Sequence, residues 1–225
     1  MNVTPVCLTL AAAMLALSVG PAAAQARTAP HLIEDGLPAR IPQALGGGEV
    51  LLELTIDPNG VVQRVGRLRA TPPYTELVAD AVAAWQFEPA TTMIDQRRTA
   101  TTGSVLVAAV VRPPSLYAGP APGPSPRDVA GPSPYVPYPE ALAMPAYPPT
   151  AVGSGLVLVE ITMTAGGEPR DFRLVSPVSG FDVAALDAVR KWRFRPAPAT
   201  DVPDRVFVYA VLGFRTPLAP PQPLR

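Results

Sequence analysis

The chain contains a long internal repeat. Residues 38–89 align without a gap onto residues 145–196, so that equivalent residues lie 107 positions apart. A first-copy loop four residues longer then precedes the strands that end at Arg112 and Arg215. The longest identical stretches are Asp80-Ala81-Val82 with Asp187-Ala188-Val189, and Trp85-x-Phe87-x-Pro89 with Trp192-x-Phe194-x-Pro196. A repeat of this kind predicts two small units of about 75 residues each instead of one large domain.

Both copies show the same order of structural signals. Each begins with alternating apolar and polar residues, which indicate a half-buried strand, and continues through a glycine turn at Gly60 or Gly167 into a second strand. A helix then runs to Trp85 or Trp192 and cannot extend past the proline that follows, and an apolar last strand closes the copy. The apolar positions of the first strand are Val50, Leu52, Leu54 and Ile56 in one copy and Val157, Val159, Ile161 and Met163 in the other. The sequence therefore predicts an α+β fold of two tandem small β-β-α-β domains, each an antiparallel sheet with one helix, joined by a proline-rich linker.

The division of the chain follows from composition. We expect the first domain at 37–113, a linker at 114–144, the second domain at 145–216 and a disordered tail at 217–225, because the linker and tail carry many of the 31 prolines. Residues 1–26 have the apolar stretch and small-residue end of a secretory signal peptide, which predicts a periplasmic protein. The apolar stretch could be extended to residue 24, which is long enough for an inner-membrane anchor, so that alternative stays open.

The residue inventory excludes several function classes. The 18 basic and 18 acidic side chains balance, which argues against binding nucleic acid or an anionic membrane surface. A single cysteine and a single histidine leave no basis for a disulfide framework or a His/Cys metal site. Gly46–Gly48 leads into a strand and not into a helix, so it does not form a phosphate loop. We therefore predict that the protein is not an enzyme and uses no cofactor.

Several repeated residues have ordinary structural interpretations. Trp85 and Trp192 each end an apolar helix face and are expected in the core. The repeated carboxylates are expected to form solvated ion pairs with nearby arginines and not to act in acid–base catalysis; they are Glu53, Glu160, Asp80 and Asp187. His31 lies between prolines near the expected mature N-terminus and is predicted to be exposed and without a role.

The last strands carry apolar residues on both faces. In the second copy Val206, Val208 and Ala210 alternate with Phe207, Tyr209 and Val211. One helix cannot cover both faces of such a sheet, and a small open sheet has an unpaired edge. Two arrangements follow: the copies pack against each other as an intramolecular pseudo-dimer, or the strand edge accepts an extended segment of a partner.

The second copy resembles the C-terminal domain of the TonB energy-transducer family over residues 145–216. The resemblance rests on the Tyr147-Pro148 lead-in, on Gly155 and Gly167, on Leu186-Asp187-Ala188, and on the run Trp192-Arg193-Phe194-Arg195-Pro196. The first copy is similar to the same domain but has Arg40-Ile41 in place of Tyr-Pro.

The resemblance implies a periplasmic module that binds outer-membrane transporters. In that family a receptor segment pairs with the last strand and the lead-in also contacts the receptor. On this chain the corresponding partner-binding residues are Tyr147, Pro148, Val206, Phe207, Val208, Tyr209, Ala210 and Val211.

The chain also departs from the family. Its N-terminal segment reads as cleavable and lacks the Ser/His pair of the transducer's anchor helix, since Ala22 follows Ser18 four residues later. We therefore expect a binding protein in transmembrane transport whose partner is an outer-membrane transporter or another envelope protein. The alternative is a structural tandem domain of an envelope assembly with no energy-transducing role.

Overall fold

The computed structural model describes residues 27–38, 40–42, 46–114 and 127–217. The predicted signal peptide, most of the predicted tail and part of the predicted linker lie outside these residues. The described residues form two helices and fourteen strands, which confirms the α+β class. The strands are β1 (Arg27–Thr28), β2 (His31–Glu34), β3 (Gly48–Ile56), β4 (Val62–Ala70), β5 (Gln86–Glu88), β6 (Ala90–Ile94), β7 (Arg97–Thr101), β8 (Gly103–Val111), β9 (Arg127–Asp128), β10 (Tyr138–Ala141), β11 (Gly155–Thr164), β12 (Pro169–Ser176), β13 (Arg193–Arg195) and β14 (Arg205–Phe214), and the helices are α1 (Tyr74–Val82) and α2 (Asp182–Val189).

One seven-stranded sheet runs through both copies of the repeat. Its strand order is β12-β11-β14-β8-β3-β4-β9. The two last strands, β8 and β14, lie side by side at its centre and are parallel, with Ala108 opposite Ala210. All other neighbours in the sheet are antiparallel. The sheet therefore differs from the prediction of two separate small sheets and corresponds to the arrangement in which the copies pack together.

The two helices cover opposite faces of this sheet. Successive residues of a strand point to opposite faces, and Leu52 packs in a cluster with α1 whereas Leu51 packs in a cluster with α2. On β14, Val208 belongs to the α2 cluster and Tyr209 to the α1 cluster. Both faces of the last strand, on which the sequence places apolar residues, are thus covered, and each copy covers the face that the other leaves open.

The predicted linker is folded over its described part. β9 pairs with the end of β4, β10 pairs with β13, and Val136 is only 3% exposed. The proline-rich linker predicted over 114–144 thus includes short strands within 127–144, because short edge strands tolerate the prolines that a central strand would not.

The structural repeat also begins earlier than the sequence repeat. β2 pairs with β5 as β10 pairs with β13, at positions 107 apart, although both β2 and β10 precede the predicted domain starts at 37 and 145. We call residues 27–114 the first half and residues 127–217 the second half of the molecule. The longer loop of the first half forms the β6–β7 hairpin, which turns through Asp95 and Gln96 with φ of 48° and 64°.

Candidate partner-binding site

The strand predicted to receive a partner is paired along both of its edges. β11 pairs antiparallel with β14 from Arg205 to Phe214, and β8 pairs parallel with it from Val208 to Gly213. The side chains of residues 206–211 are also covered, with none more than 6% exposed. Over Val208–Gly213 a partner segment can therefore reach β14 only if one of its two neighbouring strands leaves it. The role of these residues in binding stays a prediction.

Tyr209 joins the two halves of the molecule. Its ring packs edge-on against Trp85 and Phe87 of the first half, with ring centroids 5.9 Å apart in both pairs. Its hydroxyl accepts a hydrogen bond of 2.8 Å from the backbone N–H of Leu32. Burial raises the pKa of Tyr209 well above its usual value, so the phenol stays protonated and neutral. A residue predicted to contact a receptor therefore holds the first half against the second.

The lead-in pair lies at the other end of β14. The Tyr147 hydroxyl donates to the carbonyl of Gly153 at 2.9 Å, and its ring packs edge-on against Phe181 at 5.6 Å. Phe181 in turn stacks on Phe214 at 4.6 Å. Pro148 is half-buried beside Tyr147. The structure thus brings the lead-in to the C-terminal end of β14, whereas Val206–Val211 form its beginning and middle.

Both tryptophans occupy the core, as predicted. Trp85 and Trp192 are each 1% exposed. The indole N–H of Trp85 donates to the carbonyl of Gly36 at 3.3 Å, and that of Trp192 donates to the carbonyl of Ala143 at 3.0 Å. Each acceptor lies 49 residues before its tryptophan, so the repeat extends to this hydrogen bond.

Glu160 is buried and has side-chain partners from both halves. It is 4% exposed and accepts two hydrogen bonds from Arg173, at 3.1 and 2.9 Å. The Nε2 atom of His31 lies 3.1 Å from the same carboxylate, and the His31 ring lies 4.6 Å from the ring of Phe207. The prediction of a solvated Glu160 is therefore wrong, and His31, which was predicted to be exposed and without a role, contacts this carboxylate. The sequence indicated arginines near Glu160 but gave no signal that the N-terminal segment around His31 folds back onto it.

Glu53, the counterpart of Glu160, is held in a different way. Its carboxylate accepts hydrogen bonds from the backbone N–H of Ser133, at 3.0 Å, and from the Ser133 hydroxyl. Position 66 of the first half is Gly66 where the second half has Arg173. Each strand glutamate is thus contacted by one residue from the N-terminal part of the other half, Glu160 by His31 and Glu53 by Ser133.

Arg215 is a buried cation with neutral partners. It is 4% exposed and donates to the carbonyl of Gly46 at 3.1 Å and to the hydroxyl of Tyr74 at 2.8 Å. The equivalent Arg112 reaches across in the opposite direction, to the carbonyl of Pro145 at 3.0 Å. Each last strand therefore ends in an arginine that bonds to the other half.

The equivalent strands β4 and β12 differ in what lies along their outer edges. β9 pairs with β4 at Arg69 and Ala70, and the Arg69 Nε–H donates to the Asp128 carboxylate at 2.8 Å. That guanidinium holds the pKa of Asp128 below its usual value. On β12 the equivalent position is Ser176, whose hydroxyl donates to Asp35 at 2.6 Å. No described residue pairs its backbone with the outer edge of β12.

Two further properties of the described residues concern metal ions and membranes. These residues contain no group of three or more His, Cys, Asp or Glu side chains placed to hold a metal ion. None of their helices has the length and apolar character needed to cross a membrane.

The second half matches a known protein family. Residues 143–215 fit the family model for the Gram-negative bacterial TonB protein C-terminal domain. This match confirms the resemblance for one copy, whereas the kinship of the first half rests on the internal repeat alone. The family is a non-enzymatic interaction domain of the bacterial envelope with a role in transport. No curated protein sequence and no solved structure gave a significant match to the chain.

Proposed function

We propose that this chain is an exported, periplasmic protein that binds an outer-membrane transporter, or another envelope protein, by β-strand addition during transmembrane transport. The observation that carries the proposal is the family match over residues 143–215, which include the last strand and the lead-in. The binding residues are Tyr147, Pro148, Val206, Phe207, Val208, Tyr209, Ala210 and Val211.

The proposal requires the two halves to separate at the centre of the sheet. Because β8 occupies the edge of β14, a receptor segment has to replace it there. The tether between the halves keeps β8 at a high effective concentration, so the receptor segment competes against an intramolecular strand. Binding to β14 is therefore expected to be weaker in the intact chain than in a second half freed from β8.

A second candidate function has its own supporting observation. The parallel pair of β8 and β14 closes the sheet at its centre and leaves neither strand as an edge. This pairing favours a structural tandem domain of an envelope assembly with no energy-transducing role.

A reversible crosslink separates the two functions. Ala108 and Ala210 lie opposite each other on β8 and β14, so the double variant A108C/A210C is expected to close a disulfide that locks the pair. The natural Cys7 lies in the predicted signal peptide and is omitted from the expressed protein. Labelled peptides that tile the N-terminal periplasmic segments of outer-membrane transporters are titrated by fluorescence anisotropy, with the single variant A108C as control.

Strand addition to β14 predicts saturable binding of at least one peptide to the reduced protein and its loss after oxidation. Oxidation of A108C alone should change nothing. Equal binding before and after locking would exclude β14 as the site, and no saturable binding in the reduced protein would favour the structural function.

Location has a separate test. The intact mass of the protein from fractionated cells is expected to correspond to a chain that begins at Gln25 or Arg27 in the periplasmic fraction. A chain that begins at Met1 in the membrane fraction would instead support the inner-membrane anchor.

A further inference from the structure

We propose that the outer edge of β12 is a second strand-acceptor site, which takes an extended segment carrying a carboxylate while β8 stays on β14. This site goes beyond the proposed transporter site, because it needs no separation of the two halves.

The first argument is that β12 presents an unpaired edge. β12 is the outermost strand of the seven-stranded sheet and pairs with β11 on its inner side only, among the residues that the structure describes. It extends over the eight residues Pro169–Ser176. An edge strand presents a row of backbone N–H and C=O groups to solvent, and this row is a template for an added strand.

The second argument is that the molecule already adds a strand at the equivalent edge. β4 is the counterpart of β12 in the first half, and β9 pairs with its end through Arg69 and Ala70. The added strand carries Asp128, which forms an ion pair with Arg69. The same architecture therefore accepts an extended segment that includes a carboxylate.

The third argument is that a carboxylate also approaches the equivalent position of β12. Asp35 accepts a hydrogen bond from Ser176, the residue that corresponds to Arg69. Beyond this point β12 offers Arg170 and Arg173, both exposed. Arg173 is engaged by Glu160, whereas Arg170 forms no ion pair within the described part of the chain. A carboxylate on the added segment would find its partner at Arg170.

The side chains of β12 also define the apolar part of the partner. Phe172 and Leu174 are half-buried against the α2 cluster and stand at the margin of the sheet. Apolar residues at alternate positions of an added strand would extend this cluster, because side chains two residues apart lie on the same face. The partner is therefore an extended segment with alternating apolar residues and at least one aspartate or glutamate.

The test uses the oxidised A108C/A210C protein, in which β14 is closed. The probe is a labelled nine-residue peptide of alternating valine and threonine with a central aspartate, and the matched peptide has asparagine at that position. We expect saturable binding of the aspartate peptide, and an affinity about two- to fivefold lower for the asparagine peptide, as for an exposed ion pair. Arg170→Gln should reduce the affinity for the aspartate peptide by the same factor.

Arg64→Gln is the matched control, because Arg64 is an exposed arginine on β4, the outer strand of the other half. It should leave binding unchanged. Proline at Phe172 and, separately, at Arg173 identifies the edge itself. Of two neighbouring residues one points its N–H toward β11 and the other outward, and only the outward one tolerates proline. Each proline variant is compared with the alanine variant of the same residue, which already lacks the Phe172 packing or the Arg173 bonds to Glu160. The proline variant that melts at the temperature of its alanine counterpart should lose the saturable binding that the alanine variant keeps.

Three results would overturn the proposal. One is the absence of saturable binding of the aspartate peptide to the locked protein. Another is binding that Arg64→Gln weakens and Arg170→Gln does not. The last is a concentration-dependent dimer, detected by sedimentation, that the fold-preserving proline abolishes, because the edge would then pair with a second copy of this chain. Transporter binding that is lost on locking would not affect any of these results, so the two proposals fail separately.

Discussion

The two halves of this molecule share an order of strands and helices but differ at their contacts. At the start of the helix the first half has Tyr74, which bonds to the buried Arg215, whereas the second half has Phe181, which stacks on Phe214. The end of β4 in the first half is covered by β9 of the second half, whereas no described strand pairs with the outer edge of β12. Both differences lie where one half touches the other or where a half meets solvent.

This distribution separates two kinds of position. Some shared residues, such as Trp85 and Trp192, lie inside each half and satisfy the packing of one helix on one sheet. Others, such as Arg112 and Arg215, bond to the opposite half. Where equivalent residues differ, as at Tyr74 and Phe181, each makes a contact that its counterpart does not. A repeated chain that has joined into a single sheet no longer needs the same residues at equivalent positions, because its two halves have different neighbours.

The largest expected effect comes from truncating a shared core residue. Trp192→Ala should destabilise the protein by about 3–5 kcal/mol, a large part of the stability of a small domain. Because one sheet runs through both halves, we expect a single cooperative melt of the whole molecule at a lower temperature, followed by circular dichroism. The control is Val183→Ala in α2, where the side chain is 73% exposed, and it should leave the melting temperature unchanged. A first half that melts separately at the wild-type temperature would contradict the unity of the two halves.

A smaller effect tests the buried arginine. Tyr74→Phe gives the first half the aromatic ring of the second and leaves Arg215 with only the Gly46 carbonyl. The free energy of unfolding should fall by about 1–3 kcal/mol, because a buried charged donor loses a partner. Urea denaturation of this variant, of Arg215→Met and of the double variant measures the coupling free energy between the Tyr74 hydroxyl and the Arg215 guanidinium. Additive losses would show that the two groups do not interact. Tyr135→Phe, which removes an exposed hydroxyl, is the control.

The next effect contrasts the two strand glutamates. Glu160→Gln should reduce the free energy of unfolding by about 1–2 kcal/mol, since it weakens hydrogen bonds to Arg173 that are partly screened by solvent. Glu53→Gln should cost about 0.5–1 kcal/mol, since its partner Ser133 is neutral. Equal losses in urea denaturation would show that the charge of Arg173 adds nothing to the stabilising effect of Glu160.

The smallest effect concerns the strand that covers β4. Asp128→Asn should cost less than about 1 kcal/mol, because Asp128 is exposed and its ion pair with Arg69 is screened. The pKa of Asp128 is lowered in the folded protein, so its stabilising effect is present above the unfolded-state pKa near 3.8 and is lost as the pH falls below that value. The amide of Val129, which donates to Leu68 at 2.8 Å, reports the change by NMR across an acid titration. An Asn variant with the same acid transition would exclude Asp128 as its cause.

The sequence predicted what depends on local pattern. Alternation along β14 indicated two apolar faces, and the position of Trp192 at the end of an apolar helix face indicated a core residue. These features follow from the period of strands and helices, which is visible in a single chain. The family resemblance of the second half came from the same local features and was confirmed.

The sequence did not predict what depends on the pairing of distant segments. The contact of β8 with β14 joins Leu106 to Val208, and nothing in either strand distinguishes that partner from a receptor segment. The short strands β2 and β10 were not predicted for a related reason. Proline-rich composition indicates a linker, whereas the short strands β2 and β10 gain their stability from the tryptophan cores that they cover.

The parallel pair at the centre of the sheet also has a consequence for the order of folding. The first half is synthesised before β14 exists. The side of β8 that faces α2 in the folded protein is apolar, and it therefore stays exposed until the second half has been made. A contact between residues so far apart in sequence gives the fold a high contact order, and folding that waits for distant segments is slow. Over that interval the incomplete chain presents both an unpaired strand and an apolar surface, which is the state that aggregates and that chaperones bind.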